Sequence, residues 1–263
     1  MVIKKVVSVY FSATGNTEKV VKAIAKGTGL EEETYNFTRL GEAAVTPVFS
    51  ETDLVIIGAP VYVGRVPKVI INYLKSVKGN STPVVIAGTF GNRHYDDFFT
   101  ELEDLTKEQG FIPVGAAMFT AEHSFSTELG TDRPNKDDIL IAENFGKQVI
   151  EKLNKADNAI ALEAGKIPGN RPYREPFASG PPLGPVVDDK CIDCGLCATL
   201  CPTMAINPEN VRDINPEKCI RCRACARNCP VKAIDFTNEM FWGHTKHLIE
   251  EYGKIDWDPI LVI

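Results

Sequence analysis

Eight cysteines occupy the last third of this 263-residue chain, and they form two copies of one spacing. Each copy reads C-x2-C-x2-C-x3-C-P, a pattern whose thiolates bind iron–sulfur clusters. Three thiols at intervals of three on a tight loop can face one side of a cubane, while a fourth must come from elsewhere. The pattern therefore predicts two [4Fe–4S] clusters and electron-transfer chemistry. The predicted ligands are Cys191, Cys194, Cys197 and Cys201 in the first run, and Cys219, Cys222, Cys225 and Cys229 in the second run.

The two runs resemble those of the bacterial two-cluster ferredoxins. In that family the fourth cysteine of each run binds the cluster of the other run. The resemblance implies one cluster whose ligands are Cys191, Cys194, Cys197 and Cys229. It implies a second cluster whose ligands are Cys219, Cys222, Cys225 and Cys201.

Two other interpretations of the cysteines stay open. Structural zinc is bound by cysteine quartets, although zinc sites usually carry two well-separated C-x2-C pairs. A disulfide framework is the other alternative, but the chain opens without a secretory apolar region and no cysteine lies outside the two runs.

A second motif, S-A-T-G-N-T at residues 12–17, follows the first predicted strand and opens a helix. Backbone N–H groups at a helix N-terminus bind anions, hydroxyl groups add donors, and a glycine permits close approach. The motif lacks the spacing of a P-loop or of a dinucleotide fingerprint. Simple helix capping by a hydroxyl is the alternative. The predicted phosphate-binding residues are Ser12, Thr14, Gly15, Asn16 and Thr17.

At this loop the chain resembles the flavodoxins, which hold the FMN phosphate without lysine or arginine. In such a sheet the ring-binding loops follow the third and fourth strands at the carboxyl edge. The resemblance implies FMN, with Tyr62 and Tyr95 as aromatic walls and Asn92 where the family often has an aspartate. The other predicted FMN residues are Pro60, Val61, Val63 and Gly64 in one loop, and Thr89, Phe90 and Gly91 in the other.

Basic side chains replace the acidic ones that usually surround a flavodoxin ring, namely Arg65, Arg93 and His94. Positive charge stabilises a reduced, anionic flavin, so we expect a less strongly reducing flavin unless these side chains point to solvent. Farther along, residues 122–125 read E-H-S-F after the fifth predicted strand. His123 is suited to proton exchange near neutral pH and is the predicted catalytic residue, with a structural role as the alternative.

The elements that must position these motifs alternate between strands and helices along residues 1–155. Because such alternation is typical of a parallel sheet covered on both faces, we predict a flavodoxin-like, doubly wound, five-stranded α/β sheet of order 2-1-3-4-5. The predicted strands are 6–11, 33–37, 54–59, 84–88 and 114–119. The predicted helices are 17–26, 67–75, 95–109 and 136–153.

Four segments are expected. Residues 1–160 form the flavodoxin-like domain, 161–187 a Pro/Gly-rich linker, and 188–238 a small α+β two-cluster ferredoxin domain whose runs repeat at a period of 28 residues. Residues 239–263 form a tail with both tryptophans, Trp242 and Trp257, which is expected to pack on the protein or on a partner subunit because large aromatic side chains need burial.

As a whole the chain resembles the flavodoxin-ferredoxin fusion proteins of anaerobes, which implies an iron–sulfur flavoprotein moving electrons between two clusters and FMN. The alternative is a flavin-dependent reductase of a small acceptor, such as a quinone, a flavin or an activated organic molecule, fed by ferredoxin. A redox sensor is a third hypothesis. A net charge of -6 disfavours nucleic-acid binding, no apolar run predicts a membrane span, and a cytoplasmic location is expected.

The expected partners are redox carrier proteins such as ferredoxin. Arg221, Arg223 and Arg227 lie between the cysteines of the second run and could dock an acidic carrier, or else bind within the protein. A homodimer is expected if the linker holds the clusters of one chain too far from its own flavin.

Overall fold

The computed structural model describes residues 1–40, 47–162, 164–175 and 180–263. Its main sheet has six strands in the order β2-β1-β3-β4-β5-β8. The first five are parallel and confirm the predicted order 2-1-3-4-5. The strands are β1 Lys5–Tyr10, β2 Glu32–Asn36, β3 Asp53–Pro60, β4 Thr82–Phe90, β5 Phe111–Thr120 and β8 Ile260–Val262.

Helices cover both faces of this sheet, as the doubly wound prediction requires. One face packs on α1 and α4, and the other packs on α2 and α3. Gly27 and Gly146 let α1 and α4 approach closely, because a Cβ on either glycine would collide with the backbone of the other helix. The helices are α1 Asn16–Gly27, α2 Ile71–Ser76, preceded by a 3₁₀ turn at Lys68–Ile70, α3 Phe98–Glu108 and α4 Lys136–Asn154.

A sixth strand joins the sheet from the far end of the chain. Strand β8 pairs antiparallel with β5, with Ala116 opposite Val262 and Met118 opposite Ile260. The chain reaches this position through α7, Glu239–Tyr252. The sequence analysis predicted no strand here, and the cluster segment is consequently inserted between two parts of one sheet.

The cluster segment repeats its backbone as well as its cysteines. Strand β6 Val186–Val187 pairs with β7 Ile234–Asp235, and α5 Leu196–Thr199 is the counterpart of α6 Ala224–Asn228. Left-handed backbone recurs at the same 28-residue offset: φ is 51° at Asp193 and 57° at Arg221, and 73° at Gly195 and 54° at Arg223. The duplication seen in the sequence is therefore preserved in local conformation.

The described part of the linker is bonded along α3. Asn170 and Arg174 donate their backbone N–H groups to the Asp97 carboxylate at 2.8 and 2.7 Å. Arg171 binds Asp104 at 2.6 Å. Charge-assisted hydrogen bonds of this kind are stronger than neutral ones, so this stretch is fixed on the first domain.

No helix among the described residues is long and apolar enough to cross a membrane.

Candidate functional site

The predicted phosphate loop wraps the N-terminus of α1. Gly15 precedes the helix with a left-handed φ of 85°, a conformation that suits glycine. The Ser12 hydroxyl accepts a hydrogen bond from Glu18 N at 3.0 Å, and Ser12 N donates to the Thr38 hydroxyl at 2.9 Å. The loop is therefore held on both sides around the helix end.

The space above this loop fits a phosphate group. A Cβ on Gly15 would meet nothing within 4 Å, so the backbone is open to a ligand. The first N–H groups of a helix have no partner within the helix, and the helix dipole favours an anion there. Below the loop, the buried hydroxyls of Thr17 and Thr89 bond each other at 2.7 Å, which ties the phosphate loop to the end of β4.

Four loops meet at the carboxyl edge of the sheet, as the prediction of a shared site requires. Gly64 touches the Asp96 side chain, and Asp97 N donates to Gly64 O at 3.1 Å. Gly91 lies against the ring of His123. These contacts join the loops after β3, β4 and β5, and the Asn16 side chain reaches the last of them at Glu122 O, 3.3 Å away.

The loop after β3 is a tight turn. Val61 N donates to Thr89 O at 2.8 Å, while Tyr62 and Arg65 exchange two backbone hydrogen bonds of 3.0 Å. Pro60 ends β3, and the turn is completed by left-handed backbone at Val63 and Gly64. Burial, and after it the charge of Cys222, raises the pKa of the Tyr62 hydroxyl well above its usual value. The predicted flavin wall thus lies close to a predicted cluster ligand.

Tyr95, the other predicted wall, is braced by aromatic neighbours. The His94 ring stacks on it with centroids 4.5 Å apart, and Phe90 meets its edge at 6.0 Å. Beside it a polar cavity of about 210 Å³ opens between the loop after β4 and the linker. Its lining residues are His94, Tyr95, Asp96, Asp97, Gly169, Asn170 and Arg174.

Asn92 forms hydrogen bonds with the C-terminal tail. Its amide donates to Tyr252 O at 2.7 Å and Ile255 O at 2.9 Å, and its own carbonyl accepts from the Trp257 indole at 3.0 Å. Both N–H donors of the Asn92 side-chain amide are therefore used by the tail and are not available to a flavin. Its left-handed φ of 64° is a second sign of a specialised loop position.

The basic side chains predicted near the ring are paired with carboxylates. Arg65 binds Glu101 through two 2.8 Å hydrogen bonds, and its guanidinium stacks over Tyr173 at 4.6 Å. Arg93 forms an ion pair with Asp96. A carboxylate therefore balances the charge of each of these two arginines, and the less strongly reducing flavin stays a prediction.

His123 is neutral near pH 7. Its Nδ1 accepts a hydrogen bond from Phe125 N at 3.0 Å, which leaves the proton on Nε2. Burial, followed by the charges of His244, Arg223 and Arg93, lowers the pKa of His123 to about 4. His123 can donate a hydrogen bond from Nε2 to a ligand, but it does not carry an ionisable proton at neutral pH.

Four cysteines from both runs surround one cavity in the cluster segment. Cys191, Cys194 and Cys197 line it together with Cys229 of the second run. This is the set implied by the ferredoxin resemblance, and we call it the outer set because Cys194 is exposed. A cavity lined by four thiols from two loops fits a cluster with one crossed ligand.

The remaining cysteines form the inner set, Cys201, Cys219, Cys222 and Cys225. Cys201 and Cys222 are buried. Burial raises the pKa of the Cys222 thiol to about 12, and the neighbouring Cys201 and Cys219 add to this effect. Burial, followed by the charges of Cys222, Cys219 and Cys201, raises the pKa of the Cys225 thiol, so the four thiols lie near one another. Among the described residues no three His, Cys, Asp or Glu side chains are close enough to hold a single metal ion.

Both sets receive matching N–H···S hydrogen bonds. Ala205 N donates to Cys201 Sγ and Ala233 N donates to Cys229 Sγ, each at 3.2 Å. Hydrogen bonds to sulfur are one of the means by which a protein sets cluster potentials. The two crossed ligands therefore have equivalent backbone environments.

The arginines of the second run bind within the protein. Arg223 donates to Ser124 O and Phe125 O at 3.1 and 2.6 Å, and Arg227 donates to His123 O at 2.9 Å and pairs with Glu122. The hypothesis that these two dock an acidic carrier is wrong, because their guanidinium groups are directed at the loop after β5.

Arg221 also binds within the chain, through Gly180 O and Pro181 O at 3.2 and 2.8 Å. The intramolecular alternative therefore holds for all three arginines. The second run reaches the loops of its own chain, and the homodimer stays a prediction.

Aromatic side chains cover this contact. Phe125 lies 4.7 Å from Phe241 of α7, which stacks on Phe236 at 4.3 Å. Arg223 lies over the Trp242 ring at 5.0 Å. We use the term junction for residues 122–125 and 220–227 together with the aromatic residues Phe236, Phe241 and Trp242. Sequence analysis missed the role of Glu122, whose only signal was an acidic residue beside His123.

Comparisons with known proteins match two separate segments of the chain. Residues 7–95 match the family model of the flavodoxin domain, and residues 190–233 match that of the 4Fe-4S dicluster domain. No curated protein matches the chain.

Solved flavodoxin structures are similar to part of the chain. One from the domain Archaea has 16% identity, a TM-score of 0.41, and covers 57% of this chain and 99% of its own. A Fusobacterium nucleatum flavodoxin mutant bound to flavin mononucleotide has 17% identity, a TM-score of 0.41, and covers 58% of this chain and 98% of its own. A Streptococcus pneumonia flavodoxin has 17% identity, a TM-score of 0.39, and coverages of 56% and 98%.

Proposed function

The chain joins a flavodoxin domain to a 4Fe-4S dicluster domain, and from this premise we propose that it transfers electrons between two [4Fe–4S] clusters and FMN. Clusters exchange electrons singly, whereas a flavin accepts one or two, so the protein would link one-electron carriers to a flavin. The observation that carries the proposal is the cavity lined by three thiols of the first run and Cys229 of the second.

Each group of side chains has a defined task in this proposal. The α1 N-terminus and the Gly15 loop would bind the FMN phosphate, and the loops of Tyr62 and Tyr95 would flank the ring. His123 would offer its Nε2–H as a fixed hydrogen-bond donor. The outer and inner cysteine sets would ligate one cluster each.

Anaerobic purification with cofactor analysis tests the proposal. We expect one FMN and about eight irons per chain, with matching sulfide, from two [4Fe–4S] clusters. Stopped-flow mixing with a reduced low-potential ferredoxin should bleach the flavin. A protein that holds one cluster, or that retains no flavin after anaerobic purification, contradicts the proposal.

A second candidate function is the reduction of a small organic acceptor. The polar cavity of about 210 Å³ beside Tyr95 favours it, because that volume admits a small molecule next to the predicted ring. Turnover of a quinone that falls in a His94→Ala variant, with the flavin content unchanged, would support a reductase. Identical turnover in the variant and the parent would place the acceptor outside this cavity, and no turnover by the parent would leave electron transfer alone as the function.

A further inference from the structure

The two cysteine sets stand in different relations to the flavin loops. The outer cavity is lined by residues that all lie between Val187 and Ile234, within the cluster segment. The inner set, by contrast, is carried by a stretch of chain that packs on the first domain. Ile220, which follows the ligand Cys219, packs against the same apolar core as both Tyr62 and Tyr95.

Hydrogen bonds extend this contact along the second run. Arg227 donates a hydrogen bond to His123 O and forms an ion pair with Glu122, and Arg223 donates hydrogen bonds to Ser124 O and Phe125 O. On the other side of the inner set, Leu40 N donates to Pro202 O at 2.9 Å, next to the ligand Cys201. The inner set is thus fastened to the flavodoxin domain from two directions.

Arg223 also occupies an unfavourable backbone conformation. Its φ is 54°, whereas the equivalent position of the first run is Gly195. A left-handed conformation is unfavourable for a residue with a Cβ, because the Cβ comes too close to the following carbonyl oxygen. Non-glycine residues keep such conformations where surrounding contacts over-determine them. At Arg223 those contacts are two hydrogen bonds across the junction and a bidentate pair with Asp235 at 3.0 and 2.6 Å.

We propose that the cluster on the inner set, Cys201, Cys219, Cys222 and Cys225, is the one that exchanges electrons with the flavin, and that Arg223 and Arg227 are positioning residues that hold it against the loops of the flavin pocket. This inference rests on the proposed function. Each crossing takes one electron from the cluster and gives one to the flavin, and no bond forms or breaks. The outer cluster then connects the inner cluster to external carriers.

The second run can be tested with the residues of the first. In the double variant Arg223→Gly and Arg227→Thr, both positions carry their first-run equivalents, Gly195 and Thr199. The matched control is Arg212→Gln, which removes an exposed arginine paired with Asp193 at 2.5 Å, away from the junction. Iron, sulfide and flavin are counted in each protein first.

Three measurements report on the contact itself. Flash photolysis gives the rate at which an electron placed on the flavin equilibrates with the clusters. EPR reports the magnetic coupling between a reduced cluster and the flavin when each holds one unpaired electron. Hydrogen exchange reports opening of residues 122–125. In the double variant we expect the rate to fall about tenfold or more, as lost positioning can do, with weaker coupling and faster exchange.

Several results would overturn the inference. An unchanged rate and coupling with an opened junction would show that the inner cluster is not the flavin's partner. An unopened junction would show that the arginines do not position it, and an equal effect of Arg212→Gln would remove the distinction between the sets. If the double variant loses iron, the variant Glu122→Gln replaces it, because this change removes the Arg227 ion pair and leaves the second run unchanged. The same three measurements on Glu122→Gln then test the inference. Absent FMN or iron in the parent protein would instead contradict the proposed function.

Discussion

The first cysteine run is exposed to solvent at Cys194, whereas Arg223 and Arg227 of the second run bind residues 122–125. The two runs share spacing, backbone conformation and N–H···S bonds at an offset of 28 residues. They differ in the side chains between the ligands, where Asp193 and Gly195 have Arg221 and Arg223 as counterparts. A duplicated unit has thus acquired two different surroundings through residues that bind no cluster.

The crossed ligands give the largest expected difference between the runs. Cys201→Ala should remove the inner cluster although Cys201 lies in the first run, and Cys229→Ala should remove the outer cluster. Each change is expected to lower the iron content from about eight to about four per chain. Only Cys201→Ala should abolish electron exchange with the flavin, measured by flash photolysis. If both variants lowered electron exchange with the flavin equally, the inner and outer sets would not differ in their relation to the flavin.

Exposure should make the outer cluster more labile. Because Cys194 is exposed while Cys201 and Cys222 are buried, a chelator should extract iron from the outer set several-fold faster. EPR spectra recorded during anaerobic treatment with a chelator would follow the two clusters separately. Simultaneous loss of both signals would contradict the difference in exposure.

Burial, followed by the charges of His244, Arg223 and Arg93, lowers the pKa of His123 in the loop that the second run binds. Since the folded pKa of His123 is about 4 and its unfolded value is near 6.5, the unfolded state binds more protons between these values. Stability is therefore complete above about pH 6.5 and falls by roughly 2 kcal/mol as the pH is lowered toward 4, after allowance for partial solvent exposure. Denaturant midpoints followed by flavin fluorescence would measure this loss.

Removal of the Arg223 charge should reduce that pH dependence. In Arg223→Gly the pKa of His123 should rise, because one of the charges that lower it is gone. A His123→Asn variant serves as the control, since it should lack the part of the pH dependence that His123 contributes. An identical slope in the parent protein and in His123→Asn would assign the acid lability to another group.

The smallest expected effect concerns backbone strain at the two equivalent positions. Gly195→Ala places a Cβ at φ 73° and should cost about 1 kcal/mol of unfolding free energy. Thermal bleaching of the cluster absorbance would measure it. The cost at Arg223 is already present in the native chain, so Arg223→Gly should regain a similar amount while losing the junction hydrogen bonds. A neutral Gly195→Ala would remove strain as an argument about Arg223.

Local patterns sufficed to predict the flavodoxin-like part of the fold. The β-branched runs around Val6, Leu54 and Val84 and the intervening helices predicted five strands and their order, with ends within a few residues. Strand β8 was missed because three residues at the end of the tail become a strand only through a distant pairing with β5. Sequence spacing contains no signal for such a partner.

The candidate functional site likewise has one part that the sequence predicted and one part that it did not. The Gly15 loop follows from a local motif, and the crossed cysteine set follows from the resemblance to two-cluster ferredoxins; the structure brings Cys191, Cys194, Cys197 and Cys229 around one cavity. The partners of Arg223, Arg227 and Asn92 lie roughly 100 residues or more away along the chain, and no local rule could supply them. Their charge alone suggested that Arg223 and Arg227 lie on a docking surface, whereas in the structure they bind the loop after β5.

The insertion of the cluster segment between α4 and β8 ties it to the flavodoxin sheet at both ends. A module tethered twice has a high effective concentration at its site, because neither end can diffuse away. If the proposed function holds, electron exchange across the junction would be independent of protein concentration, and external carriers would compete for the outer cluster rather than for the flavin.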